Sequence, residues 1–190
     1  MVQHPDYPNI HQDYIDGLKS GDRKAQFEIY RLYYRSMYNT CIRIVGVDED
    51  AEDIMQEAFL AAYSKIGTYS GKVSFGAWLK KIVINKSLDV LKSRRQALVS
   101  FEDAGPEPGQ EERIDNTDYE GITMDIIRDA IQSLPDGYRI VLSLYLVEGY
   151  DHEEIAEILG ISGSTSRSQY TRARQKLAEL LQAMTRKNKH

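Results

Sequence analysis

The chain has 190 residues, 42% apolar and 28% charged, which is enough for one core or two small ones and excludes a disordered or fibrous protein. Its longest apolar run, IVLSLYLV at 140–147, falls far short of the ~20 residues that span a bilayer. Cys41 is the only cysteine and the four histidines are scattered, which excludes an internal disulfide and a clustered zinc site.

A net charge of −5 argues against a simple basic nucleic-acid binder, but the charge is unevenly spread. Residues 72–95 carry +6 and 167–190 carry +6, whereas 96–125 carry −8. Two basic faces are therefore expected, joined by an acidic strap.

In chain order, the opening MVQHPDYPNIHQD has neither a basic leader nor an apolar run, which speaks for a cytoplasmic protein; residues 1–12 are read as a tail. Phe27, Tyr30, Tyr34, Met37, Cys41 and Ile44 recur every three or four residues, as the buried stripe of a helix ending near Gly46 would. A second helix begins at Asp48 with acids in its first turn, favoured by the helix dipole, and buries Ile54, Ala58 and Phe59. A third starts after Ser74 as N-cap and runs to about Arg95. On its wheel Ser74, Trp78, Lys81, Asn85 and Lys92 lie within about 60° of one another, opposite Leu79, Val83 and Val90. Trp78 admits two readings, a core filler or part of a face for something flat and anionic; an amide and ammonium groups beside it suit a base edge and a phosphate.

FEDAGPEPGQEERIDNTDYEG at 101–121 combines acids, glycines and prolines without helical periodicity and reads as a flexible linker. Beyond it, Ile126, Ile127, Ala130, Ile131 and Leu134 outline a helix that stops before Pro135, which cannot continue the hydrogen-bond ladder. Another covers about 137–147. Asp151 and Glu154 have capping-box spacing and open a short helix that Gly160 terminates. A longer helix resumes near Gly163 and ends around Met184. Short helix, tight turn and longer basic helix match a helix-turn-helix. Arg167, Thr171 and Arg174 share one face of the last helix with Ser164 on its flank, while Ala173, Leu177, Leu180 and Met184 lie opposite. Arginine can fork onto guanine edges, and Ser164, Thr165 and Ser168 can donate to phosphates. Ser166 falls on the core side, where its hydroxyl needs a partner that an i−4 carbonyl could supply.

Both halves resemble one family, the bacterial sigma factors of the sigma-70 class, and within it the compact extracytoplasmic-function (ECF) group. DAEDIMQEAFL at 50–60 looks like the helix that docks on the β′ coiled coil of RNA polymerase. SFGAWLKKIVINKSLDVLKSRR looks like the promoter-melting, −10-reading helix, and residues 134–177 look like the −35-reading domain.

The resemblance implies an all-α protein of two small helical domains joined by a flexible acidic linker. Its expected parts are the tail 1–12, a region 2-like domain 13–95, the linker 96–122 and a region 4-like domain 123–190. It implies docking through Asp50, Asp53, Gln56 and Glu57. Contacts to the −10 element and the melted strand fall to Lys72, Ser74, Trp78, Lys81, Asn85, Lys86, Lys92, Arg94 and Arg95, and −35 contacts to Ser164, Thr165, Arg167, Ser168, Thr171, Arg172 and Arg174. Gln169 stands where many members have arginine and Ser166 where an aliphatic residue is usual, so base preference does not carry across.

The implied partners are core RNA polymerase through its β′ coiled coil and β flap, promoter DNA as duplex and single strand, and an anti-sigma factor able to hold a cytoplasmic protein at the inner membrane without its own insertion. No cofactor or metal is expected and no enzymatic activity, because the chain carries no Gly-rich phosphate loop and no nucleophile–base motif. The rival reading is a stand-alone helix-turn-helix regulator with an N-terminal sensor domain, which leaves the basic helix of the first half unexplained.

Overall fold

The computed structural model describes residues 9–93 and 122–188, all-helical apart from turns, with no strand among them. The first eight residues of the tail, Arg94, Arg95 and the linker up to residue 121 lie outside the described residues. The chain divides into two compact units, Met1–Val90 and Leu91–His190.

The first unit opens with α1 (Gln12–Lys19), which buries Ile15 and Leu18. Gly17 lets α1 approach α2 (Arg23–Val45): a Cβ there would come within 2.6 Å of the Ala25 methyl. Asp22 caps α2 by accepting from Lys24 N–H at 2.8 Å, and Gly46, at φ 77°, ends it in the left-handed conformation that favours glycine. Next come α3 (Asp48–Lys65), a 3-10 turn over Ile66–Thr68, and α4 (Phe75–Ser93). Ser74 caps α4, its Oγ accepting from Ala77 N–H at 3.2 Å. Ile54, Ala58 and Phe59 of α3 and Leu79 and Val83 of α4 are buried as the periodicity requires, whereas Val90 is half-buried.

The stripe on α2 needs a correction. Met37, Cys41 and Ile44 are buried, but Phe27 is 64% exposed and Tyr30 37%. The buried face runs through Ala25, Ile29 and Thr40 instead, and Phe27 projects about 160° round the wheel from Ile29. Tyr30, Tyr34 and Tyr38 form an aromatic ridge beside that face, with centroid spacings of 4.9 and 5.7 Å, and Tyr30 leans on Phe59 at 4.8 Å. Cys41 is fully buried, its Sγ 3.3 Å from the Ser87 hydroxyl, and burial pushes its thiol up to about 11. It is a packed thiol, not a reactive one.

The second unit comprises α5 (Met124–Gln132), α6 (Asp136–Leu146), α7 (His152–Leu159) and α8 (Gly163–Asn188), with α8 packed on the other three. Leu134, Leu142 and Ala173 form a core cluster onto which Leu177 and Leu180 fold. Arg139 is buried at 4% exposure, yet it is satisfied: it donates to the Leu134 carbonyl at 3.2 Å and pairs with Asp136 at 2.6 Å. It thereby secures the Pro135 corner between α5 and α6. The capping box of Asp151 and Glu154 is present in both directions, and Gly160 closes α7 at φ 70°.

Candidate nucleic-acid interface

The helix-turn-helix is α7, the turn Gly160–Ser162 and α8. A residue the sequence reading passed over organises its start. Ser162 Oγ accepts from Thr165 N–H at 3.0 Å and lies 2.8 Å from the hydroxyls of both Ser164 and Thr165. It is the N-cap of α8, and a serine just before the helix with a donor three places on was the available signal.

Of the residues assigned to the −35 face, Ser164, Arg167 and Arg174 are exposed, while Thr165, Ser168, Thr171 and Arg172 are half-buried. The Thr171 hydroxyl is turned back to the Arg167 carbonyl at 3.1 Å, and Arg174 lies over the Tyr170 ring at 5.8 Å. Arg167 pairs with Glu153 of α7 at 3.0 Å. That carboxylate sits against the start of α8, where a Cβ on Gly163 would fall 2.8 Å from the carboxylate carbon. An acid thus occupies the end of the helix where a backbone phosphate would be favoured.

Ser166 is fully buried, and its partner is not its own i−4 carbonyl. Its hydroxyl lies 2.9 Å from His152 Nδ1. His152 stacks on Tyr145 at 4.5 Å and meets Tyr170 edge-on at 5.6 Å. Burial, and secondarily the Arg167 charge, hold its pKa below the ordinary 6.5, so the neutral ring is favoured. Gln169 is 1% exposed and its Oε1 has no hydrogen-bond partner among the described residues, so it cannot touch DNA where it stands.

In the first unit, Lys72, Ser74, Lys81, Asn85 and Lys92 are exposed along one side of α4 and the turn before it. Trp78 is half-buried, with Tyr69 and Phe75 each 5.5 Å from its ring, so both readings of it meet: one part packs and the rest shows. Lys86 is half-buried and bonded to Glu57 of α3 at 2.9 Å, which brings together one residue of the expected melting face and one of the expected docking face. Asp53, Gln56 and Glu57 are exposed and Asp50 is half-buried. Leu60, 67% exposed, extends their row by one turn and was missed, because a leucine in an apolar pattern reads as core.

The described architecture is thus two all-helical units, one carrying a helix-turn-helix and the other a lysine-rich helix. The family descriptions "Sigma-70 region 2" and "Sigma-70, region 4" match residues 29–97 and 124–177, and the chain belongs to the sigma-70 family, in its ECF group.

It is similar to the ECF RNA polymerase sigma factor SigW of Bacillus subtilis (strain 168), 31% identical over 183 residues that span 88% of this chain and 94% of that one. It is also similar to the RNA polymerase sigma-H factor of Pseudomonas aeruginosa, 29% identical over 92% of this chain and 95% of the other. Among solved structures, the fold is shared with the sigma factor RpoE in complex with the anti-sigma factor NepR from Bartonella quintana, at TM-score 0.56 and 22% identity over 82% of this chain and 95% of that one. CnrH in complex with the cytosolic domain of CnrY aligns at TM-score 0.55 and 22% identity, over 91% of this chain and 97% of its own.

Proposed function

We propose that this sigma factor binds core RNA polymerase, reads the −35 element as duplex through α8, and opens the −10 element with α4 and the turn before it. The observation that carries the reading is the presence in one family member of two separate cation-bearing helices, α4 with Lys81, Asn85 and Lys92 exposed and α8 with Arg167 and Arg174 exposed. Opening costs ~1.4 kcal/mol of stacking per base-pair step, which capture of an unstacked base and of the strand's phosphates offsets. Asp50, Asp53, Gln56, Glu57 and Leu60 dock on the β′ coiled coil, and the second unit meets the β flap. The polymerase makes the nucleotide bonds, and the sigma factor itself does no covalent chemistry.

An anti-sigma factor is the expected inhibitor, since the sigma factor RpoE of the similar structure is in complex with one. Work with core RNA polymerase on promoter DNA means that the protein acts in the cytoplasm. No helix of the described residues is long and apolar enough to cross a membrane. The protein's two domains are residues 13–95 and 123–190, with Asn9 of the tail bonded to the first.

The test is transcription in vitro on a promoter library, with and without the protein added to bacterial core polymerase. Specific initiation only in its presence is expected. Duplex binding without initiation would instead establish the stand-alone regulator. Asn85→Ala should lower promoter opening severalfold at unchanged core affinity, and equal loss of both would remove Asn85 from the strand-contacting face.

A further inference from the structure

Asn9, in the stretch read as a tail, reaches the far end of the first unit in sequence. Its Oδ1 accepts from Phe75 N–H, the first of α4, at 3.0 Å, and its Nδ2 donates to Tyr69 Oη at 2.9 Å. Tyr69 Oη donates in turn to the Val73 carbonyl at 2.8 Å. The direction of this chain is forced. A backbone N–H can only donate, so it fixes Oδ1; the amide NH2 must then face Tyr69, whose proton is left for an acceptor-only carbonyl.

The bonds close the turn 69–73 on itself and tie it to α4. Tyr69 and Phe75 are buried beneath, and Trp78 leans on both. Above them Ser70, Lys72, Val73 and Ser74 are exposed, with Gly71 at φ 75° supplying the left-handed corner.

The chemistry of the brace is also selective. Ser74 and Asn9 satisfy the N–H groups of Ala77 and Phe75 with neutral oxygens. Aspartate would be favoured beside a helix N-terminus, but its charge would cancel the positive helix end next to Lys72.

We infer that Asn9 is a positioning residue for promoter opening: it holds the 69–74 turn and the first turn of α4 so that Lys72, Ser74 and Trp78 meet the separated strand, and it does so without adding negative charge. This rests on the reading of the α4 face given above.

The test uses the full chain with core polymerase on a promoter that the unaltered protein opens. Opening is read by permanganate reactivity of unpaired thymines, core affinity by competition, and folding by thermal melting. The two neutral hydrogen bonds to Phe75 and Tyr69, at ordinary worth, correspond to a loss in opening of roughly 5- to 150-fold for Asn9→Ala at unchanged core affinity.

Asn9→Asp should open no better than Asn9→Ala while melting at the same temperature or higher, a divergence that a purely structural role would not produce. Tyr69→Phe keeps the ring and breaks only the Asn9–Tyr69–Val73 part of the chain, leaving Phe75 N–H bonded to Asn9, so it should open better than Asn9→Ala, and adding Asn9→Ala to it should cost less than Asn9→Ala costs alone. Opening by Asn9→Ala or Asn9→Asp at the unaltered rate, or opening and core affinity falling in the same proportion, would overturn the inference. An unaltered protein that opens no promoter would instead overturn the underlying assignment of function, and the control shows it before any variant is made.

Discussion

Replacing Glu153 by glutamine removes the acid at the start of α8 while keeping its shape. Both members of the Glu153–Arg167 pair are solvent-exposed, with side chains 57% (Arg167) and 74% (Glu153) accessible, so the bond between them is worth ~0.2–1 kcal/mol. Freeing the guanidinium should therefore tighten duplex binding by roughly 1.4- to 5-fold, since ~1.4 kcal/mol is a factor of ten. If the freed cation then neutralises one further phosphate, the slope of log K against log salt steepens by about 0.9.

Gly163→Ala provides a charge-neutral control. Its methyl would strike the Glu153 carboxylate, the movable end of a side chain, so it should displace that group and free Arg167 at little cost in stability. The order of affinity should be Glu153→Gln, then Gly163→Ala, then the unaltered protein. Fluorescence anisotropy of a labelled promoter duplex with the reconstituted holoenzyme, titrated at several salt concentrations, measures both quantities. Unchanged affinity and slope in both variants would refute the reasoning, as would weaker binding by Glu153→Gln.

Asp151→Ala removes the acceptor for Glu153 N–H and Glu154 N–H, at 2.9 and 2.8 Å, and should cost ~0.5–2 kcal/mol. At ~4–8 °C per kcal/mol for a domain of this size, a melting shift of the second unit below about 2 °C would contradict it. His152, faced by Ser166, Tyr145, Tyr170 and Arg167 with Asp151 and Glu153 beside it, has a folded pKa below 6.5, so the unfolded chain binds the proton more readily. Stability present above about pH 6.5 should fall as the pH drops through and below that value, and His152→Phe should flatten the dependence in a melting series from pH 8 to 5. The Cys41 thiol, buried and raised to about 11, should resist thiol reagents at pH 8 until the protein is unfolded; rapid stoichiometric labelling of the native protein would contradict its packing.

The parts of the fold that rest on neighbours in sequence were readable. Gly46, Ser74, Pro135, the Asp151–Glu154 pair and Gly160 each mark a helix end by local stereochemistry, and each end falls there. The polar face of α8 was readable in outline for the same reason. What escaped were bonds between residues far apart in the chain: Asn9 with Phe75, Glu57 with Lys86, Glu153 with Arg167 and His152 with Ser166. No periodicity encodes these, because they depend on which helix faces which. The α2 stripe failed differently. Spacing of three and four also describes the aromatic ridge of Tyr30, Tyr34 and Tyr38 that flanks the core, and residue type alone does not tell such a ridge, or the exposed Phe27, from a buried stripe.

The bond between Lys86 and Glu57 has a thermodynamic consequence for how the first unit can work. Among the described residues each is the other's ion-pair partner, so whatever captures the Glu57 carboxylate releases a cation on α4, and whatever anion captures Lys86 releases a carboxylate on α3. Linkage then requires the two captures to favour each other by the same factor, whichever comes first. Both side chains are partly solvated, so the coupling through this bond is at most ~1 kcal/mol, a bias of about fivefold. On the proposed reading of the two faces, such a bias would make α4 up to about fivefold better at holding an anion once the acidic face of α3 is occupied.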